Sequence, residues 1–193
     1  LVGSEMCIRD SACGVPDVTV IAKIGFDHMA ILGDTLAKIA AEKAGIIKHG
    51  TALVLESQEK EAMDVLNKAA ERADIKTIKV VNLDEIRILP QKDGKQCFSY
   101  AGYDAVTMKM LGVHQYENAV AAMLAAELFF EKYFAGKKNV PERKALQHAI
   151  REGIDRTQWM GRMELVSNDP FFLMDGAHNS NGCLLYTSPS PRD

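Results

Sequence analysis

The first half of the chain alternates short apolar runs with amphipathic segments. Residues 18–25 (VTVIAKIG) are rich in Val and Ile and predict a buried strand that ends at a glycine. A helix is predicted next, with Asp34 as its N-cap and Gly45 as its C′ residue. Residues 51–57 (TALVLES) predict a second strand.

A helix over about 58–74 and a third strand over 75–82 follow. The helix has an apolar face, formed by Ala62, Val65, Leu66, Ala69 and Ala70. The order strand–helix–strand–helix–strand is typical of a parallel sheet with helices packed against it. The pattern therefore predicts an α/β fold with a mostly parallel sheet flanked by helices.

Residues 83–112 follow a different pattern. The turn QKDGKQ (91–96) lies between short apolar runs, which predicts an antiparallel hairpin or meander. A long helix is predicted from about Gln115 to Phe134, and another over about 142–152. An apolar strand is predicted at 170–175.

Composition excludes several classes of protein. The 193 residues include 23 Lys plus Arg and 26 Asp plus Glu, a net charge of -3, so no basic surplus points to nucleic acid. No apolar run is long enough to span a bilayer and no signal peptide opens the chain, so we expect a cytoplasmic protein without a membrane partner. Neither a zinc site nor a disulfide framework is indicated, because no CxxC pair occurs among Cys7, Cys13, Cys97 and Cys183.

The two ends of the chain are related to each other at the DNA level. CLLYTSPSPRD (183–193) can be encoded by a DNA word whose reverse complement, read from its third base, encodes LVGSEMCIRD (1–10). Natural termini are not related in this way, and the word resembles a transposon-type sequencing adapter. We therefore exclude residues 1–11 and 183–193 from the fold, and expect 12–182 to be an internal fragment.

Two polar residues follow the first predicted strand. Asp27 and His28 lie at its carboxyl end, where open α/β sheets bind their ligands. His28 by itself is more typical of a hydrogen-bonded structural histidine than of a ligand.

Lys43 has an unusual position in its predicted helix. It continues the i, i+3, i+4, i+7 stripe of Leu36, Ile39 and Ala40, so we expect it on the apolar face. A lysine there is desolvated unless it is paired or modified. The alternative is that its apolar stem lies along the face while the ammonium reaches water.

Polar clusters also occur in the second half of the chain. His114, Gln115 and Asn118 lie at the start of the long helix, a pattern typical of capping. Arg162 follows a glycine and by itself indicates a surface loop, with Trp159 packing in the linker. Asp175 ends an apolar strand and is followed by glycine, a pattern that is typical of a functional site.

Four motifs in order resemble one family. IGFDH with LGDTLAKIAAEKAGI, then HQYENA, WMGRMELV and LMDGAHN are similar to the signatures of folylpolyglutamate synthase and dihydrofolate synthase, in the Mur ligase superfamily. The resemblance covers residues 16–182. It implies that 12–158 are the C-terminal portion of the central ATPase domain. Residues 159–182 would be the linker and the first strand of a Rossmann-like C-terminal domain.

The resemblance also implies a set of site residues. His28 would bind magnesium, and Lys43 would be carbamylated and help to hold a second magnesium. The nucleotide would be bound by Asn118, Arg162 and Asp175, with His178 close by, while His114 and Gln115 would shape the pocket. Carbamylation converts a cation into a carboxylate-like oxygen ligand of the kind that magnesium prefers.

The activity implied is ATP-dependent ligation of L-glutamate to folate, dihydropteroate or both, through an acyl phosphate. The expected partners are these small molecules, and the expected protein is a monomer. Ligases of this family carry a P-loop, and no GxxxxGK[ST] occurs in these 193 residues. We therefore expect the chain as written to be inactive.

Two alternatives remain open. The first is another Mur-type amide ligase, of the cell-wall or cyanophycin kind, with the same acyl-phosphate chemistry. The run TLAKIAAEKAGIIK followed by HQ-x-x-NA favours the folate branch. The second is a non-catalytic nucleotide-binding module, against which the intact set of His28, Lys43, Asn118, Arg162 and Asp175 argues.

Overall fold

The computed structural model describes residues 14–26 and 33–176. The chain forms two compact units, Leu1–Val81 with Ala121–Lys138 and Asn82–Val120 with Asn139–Asp193. Its strands are β1 Val18–Ile21, β2 Ala52–Leu55, β3 Ile78–Val80, β4 Arg87–Lys92, β5 Lys95–Tyr100, β6 Tyr103–Met108, β7 Glu164–Asn168 and β8 Phe171–Met174. Its helices are α1 Leu36–Lys43, α2 Lys60–Arg72, α3 His114–Phe134 and α4 Arg143–Arg156, with 3-10 turns at Ala44–Ile46 and Leu83–Glu85. The domain boundary at residue 158 stays a prediction.

The first unit contains the predicted parallel sheet, in the order β1-β2-β3. Ile21 pairs with Leu55, and Leu55 pairs in turn with Val80. The middle strand is apolar throughout because its side chains are buried on both faces: Leu53, Val54 and Leu55 are each 0% exposed. The α/β fold class predicted from the sequence is confirmed.

Helices α1 and α2 cover one face of this sheet. Their buried residues join those of β1 and β2 in one core, which includes Ile21, Ile39, Ala40, Leu53, Leu55, Ala62, Leu66 and Ala70. The apolar face predicted for α2 is therefore confirmed, with Val65 and Ala69 half-buried at its margin. Burying each large aliphatic side chain contributes about 1.5–3 kcal/mol.

Both predicted ends of α1 need correction. The N-cap is Thr35, not Asp34: its backbone is extended and its side-chain oxygen accepts from the Lys38 N–H at 3.2 Å. Asp34 pairs with the Lys38 ammonium at 2.7 Å instead. Gly45 is not a left-handed C′ residue, because the chain continues into the 3-10 turn Ala44–Ile46, closed by the Ile47 N–H on the Ala44 carbonyl.

The second unit contains the predicted antiparallel meander, in the order β4-β5-β6. The β4–β5 turn has Asp93 and Gly94 at φ 52° and 73°. Positive φ at both central residues matches the right-handed twist of a hairpin, and it explains the Asp-Gly pair at this turn.

Helix α4 packs against β6 and is longer than the predicted 142–152. Near its end, the Asp155 carboxylate accepts from Lys95 Nζ at 2.7 and 2.8 Å and from the Thr107 hydroxyl. Since Lys95 and Thr107 belong to β5 and β6, this carboxylate fastens the helix to the sheet. These donors lower the pKa of Asp155 from its usual value.

The last described element is a hairpin rather than one isolated strand. The strand predicted at 170–175 is β8, and it pairs antiparallel with β7, a strand for which the sequence pattern made no prediction. Trp159, before β7, is 69% exposed, so the expectation that it packs in the linker is wrong. Within the described residues, no helix has the length and apolar character needed to cross a membrane.

We expect Thr35→Ala to lower the free energy of unfolding of the chain by about 1 kcal/mol, since it removes the N-cap oxygen. Asp34→Ala is the matched control. It removes only an exposed ion pair, and should cost less than Thr35→Ala does. Urea denaturation of both variants measures the difference, and a larger loss for Asp34→Ala would contradict the assignment.

The lowered pKa of Asp155 makes a prediction about acid stability. A carboxyl whose pKa is lower folded than unfolded stabilises the protein above the unfolded pKa, and that contribution disappears as pH falls through the folded pKa. Asp155→Asn should therefore be less stable than wild type near neutrality, with the difference shrinking in acid. Melting temperatures between neutral pH and pH about 3 test this. The exposed Asp104→Asn should show no such convergence.

Candidate active site

The structure describes four of the six predicted site residues. Lys43 belongs to the first unit, while Asn118, Arg162 and Asp175 belong to the second. His28 and His178 lie outside the described residues.

Lys43 is exposed, which agrees with the alternative in which its apolar stem lies along the helix face while the ammonium reaches water. The buried part of that stripe consists of Ile39 and Ala40, each 0% exposed. Lys43 is the last residue of α1, where the helix gives way to the 3-10 turn. A cation there interacts favourably with the carbonyl end of the helix. Its carbamylation stays a prediction.

The start of α3 is held by a buried glutamine of the meander. Gln96, on β5, is 7% exposed and donates from Nε2 to the carbonyls of Met110 (2.7 Å) and Gly112 (3.1 Å). The Gln115 N–H then bonds the Gly112 carbonyl at 3.1 Å, within the first turn of the helix. The sheet thus fixes where the HQYENA motif begins.

The polar residues of that motif form a chain of side-chain hydrogen bonds. Asn118 Nδ2 donates to Gln115 Oε1 at 3.1 Å, and Gln115 Nε2 lies 3.1 Å from His114 Nε2. An amide nitrogen only donates, so with this amide orientation His114 Nε2 accepts and the neutral ring carries its proton on Nδ1. These three residues therefore contact each other, whereas the sequence alone favoured capping.

Residues 161–163 and 175–176 meet at the base of the β7–β8 hairpin. Asp175 Oδ2 accepts from the Met163 N–H at 2.7 Å, and the Gly176 N–H donates to the Gly161 carbonyl at 2.7 Å. A Cβ at position 176 would lie 3.2 Å from that carbonyl oxygen, so the close approach of the two backbones favours glycine there. The hairpin thereby brings Met163, the chain neighbour of Arg162, into contact with Asp175.

The charges of these residues act on His114. Burial lowers the pKa of His114 below its usual value; the Asp175 carboxylate opposes this, and the Arg162 guanidinium lowers the pKa further. The structure therefore brings His114, Arg162 and Asp175 within electrostatic range of one another. The sequence analysis gave His114 no firm role, although the HQYENA motif was the signal that marked it.

The described residues include only one of the two predicted magnesium ligands. Among residues 14–26 and 33–176, no group of three His, Cys, Asp or Glu side chains forms a metal site. Of the two predicted ligands only Lys43 is described, and it is exposed. We therefore derive no chemical step through the metal.

Comparison with known proteins identifies the family. The sequence profile of the Mur ligase middle domain matches residues 3–126, more than half of the chain. This chain belongs to the Mur ligase middle-domain family.

Curated relatives of this Mur ligase chain are folate enzymes. It is 36% identical to dihydrofolate synthase/folylpolyglutamate synthase of Bacillus subtilis, over 86% of this chain and 38% of that protein. It is 35% identical to a folylpolyglutamate synthase of Arabidopsis thaliana, over 85% of this chain and 28% of that protein. The chain thus spans less than two fifths of the length of these relatives.

The fold has a counterpart among solved structures. Folylpolyglutamate synthase of Mycobacterium tuberculosis, complexed with ADP, superposes with a TM-score of 0.71 and 30% identity. The match covers 87% of this Mur ligase chain and 37% of that structure.

The electrostatic coupling at His114 predicts opposite effects of two substitutions. Arg162→Ala removes a positive charge and should raise the pKa of His114, whereas Asp175→Asn removes a negative charge and should lower it. Titration of the imidazole by NMR measures both shifts. Arg156→Ala, which removes an exposed guanidinium paired with Glu152, is the control variant and should leave the pKa of His114 unchanged. Shifts of the same sign in both variants would contradict this arrangement.

Proposed function

We propose that the chain is part of an ATP-dependent ligase that joins L-glutamate to folate, dihydropteroate or both. The observation that carries the proposal is the hydrogen bond from the Met163 N–H to Asp175 Oδ2, which joins the segment of Arg162 to the start of the DGAHN motif. The same proposal is supported by the folate enzymes among the relatives, one of which is complexed with ADP.

The proposed reaction forms an amide through an activated acid. The carboxylate of the pterin substrate attacks the γ-phosphorus of ATP, giving an acyl phosphate and ADP. The amine of L-glutamate then adds to the acyl carbon, and the tetrahedral intermediate expels inorganic phosphate while the amine loses a proton. Catalysis of such a transfer consists largely of positioning and charge stabilisation.

Three described residues are proposed to bind the nucleotide. Arg162 is exposed and suits a phosphate contact, because its guanidinium can donate two parallel hydrogen bonds. Asp175 is restrained by the Met163 N–H, which leaves its carboxylate in a fixed orientation. Asn118 is the proposed contact to the adenine nucleotide, oriented by Gln115.

Neutral His114 would act in this pocket through its shape and its dipole rather than its charge. A protonated imidazole beside Arg162 would add a second cation, and burial disfavours it. We propose His178 as a further residue of the nucleotide site on the DGAHN motif alone.

We place magnesium with His28 and carbamylated Lys43, on the IGFDH and EKAGI motifs alone. A bound magnesium ion would supply neutralisation of the transferring phosphoryl group.

The experiment that tests the proposal uses the full-length parent protein. ADP release is followed with ATP, magnesium and L-glutamate, adding dihydropteroate in one reaction and a reduced folate in another. Turnover with both substrates indicates a bifunctional synthase, and turnover with folate alone a dedicated polyglutamate synthase. If neither reacts and a UDP-muramyl substrate does, the folate branch is wrong. If the protein binds ATP without turnover on any acid, it is a non-catalytic module.

We expect Arg162→Ala in the parent protein to raise the KM for ATP about tenfold to a hundredfold, the usual effect of losing a charge-assisted hydrogen bond to phosphate. Steady-state kinetics with varied ATP measures this. Arg156→Ala is the matched control. Its guanidinium is exposed and pairs with Glu152 at 3.3 Å, so its loss should leave KM unchanged. An unaltered KM in Arg162→Ala would remove this residue from the nucleotide site.

A further inference from the structure

Residues 22–24, which follow β1, do not pair with a neighbouring strand, but their backbone groups are still hydrogen-bonded. Regular pairing of β1 with β2 ends at Ile21 and Leu55. The last backbone bond between the two segments is the Glu56 N–H on the Ile21 carbonyl, at 3.0 Å. Beyond that point, side chains that follow β2 bond the backbone of residues 22–24.

Glu56 makes the first of these bonds. Its Oε2 accepts from the Lys23 N–H at 2.6 Å. The Glu56 residue is 3% exposed, which is unusual for a carboxylate-bearing side chain. A short hydrogen bond shielded from water is stronger than one exposed to solvent, so this contact restrains the segment firmly.

Gln58 makes the next two bonds, with both ends of its amide. Gln58 Oε1 accepts from the Ile24 N–H at 2.8 Å, and Nε2 donates to the Ala22 carbonyl at 3.1 Å. An amide is needed for this pair of contacts, since a carboxylate cannot donate to Ala22. Together, Glu56 and Gln58 bond three consecutive residues.

The hydrogen bonds from Glu56 and Gln58 to residues 22–24, here called the clamp, have a position in the fold that indicates a function. It lies at the carboxyl ends of parallel strands β1 and β2, the edge at which open α/β sheets bind their ligands. The clamped residues lead along the chain into IGFDH, the motif that contains His28. Without the clamp, only the loop that follows β1 would determine the direction of residues 22–24.

We propose that Glu56 and Gln58 are positioning residues, which set the direction of the segment entering the IGFDH motif of the ligase. The inference rests on the proposed function for its catalytic consequence, and on the hydrogen bonds at residues 22–24 for its geometry. Neither residue belongs to the motifs singled out in the sequence.

The geometry is tested in the 193-residue chain by amide hydrogen exchange. Glu56→Ala should lower the protection of the Lys23 amide about tenfold, and Gln58→Ala that of the Ile24 amide, as expected for one lost hydrogen bond each. Glu56→Gln keeps an acceptor oxygen and should retain much of the protection. Glu59→Ala is the control, because Glu59 is exposed and makes no capping bond at the start of α2. Unchanged exchange at Lys23 and Ile24 would overturn the clamp, whatever the enzyme does.

The catalytic consequence is tested in the full-length parent protein. Glu56→Ala should lower kcat about a hundredfold without changing the KM for ATP, as expected when a group of the active site is displaced by about 1 Å. Glu56→Gln should recover most of kcat, whereas Arg162→Ala changes KM. A role in stability alone would lower the melting temperature and leave kcat per folded molecule unchanged, and that result would overturn the positioning role. Failure of the wild-type parent in every ligase assay would overturn the proposed function, while the exchange measurement still decides the clamp.

Discussion

Burial of β2 on both faces is the constraint on which the first unit depends. Leu53 and Leu55 face the core with α1 and α2, and Val54, on the opposite face, is equally inaccessible to solvent. A strand enclosed in this way has to satisfy its backbone through neighbours on both edges, and β1 and β3 supply them in parallel. Parallel pairing brings the carboxyl ends of β1 and β2 to one edge, where the chain places Glu56, Gln58 and the entry to IGFDH.

Two aspartates play comparable roles in the second unit, with different consequences. Asp155 joins a helix to a sheet, and its partners Lys95 and Thr107 are residues of the meander. Asp175 joins the two motifs of the hairpin through the Met163 N–H, beside Arg162. The first carboxylate determines how the unit packs. The Asp175 carboxylate determines which polar groups lie together at the proposed nucleotide site.

Much of this arrangement could be predicted from the sequence, because the relevant signals are local. The apolar face of α2 follows from residues three and four apart, and the β4–β5 turn from Asp-Gly. The ends of α1 could not be fixed, since Asp34 and Thr35 are both good N-caps and only backbone geometry separates them. The environment of Lys43 could not be decided, because helical spacing indicates a face of the helix and not whether a side chain at its end reaches water.

The candidate site, like the fold, could be predicted only in part. Motif order pointed to Asn118, Arg162 and Asp175, but no pattern states that His114 lies within range of two charges. Glu56 and Gln58 carry no motif at all. Their role depends on the point at which β1 and β2 diverge, and this is a property of the pairing rather than of either strand.

The small sequence separation between Gly161 and Gly176 has a consequence for how the proposed nucleotide site is assembled. The backbone bond that joins them closes a loop containing only the β7–β8 hairpin, and contacts between residues near in sequence form quickly and at low entropic cost. Arg162 and Asp175 can therefore reach their mutual positions as soon as this hairpin emerges during synthesis. In that order of events, the corner proposed to bind phosphate is a local product of the chain, formed ahead of any longer-range docking.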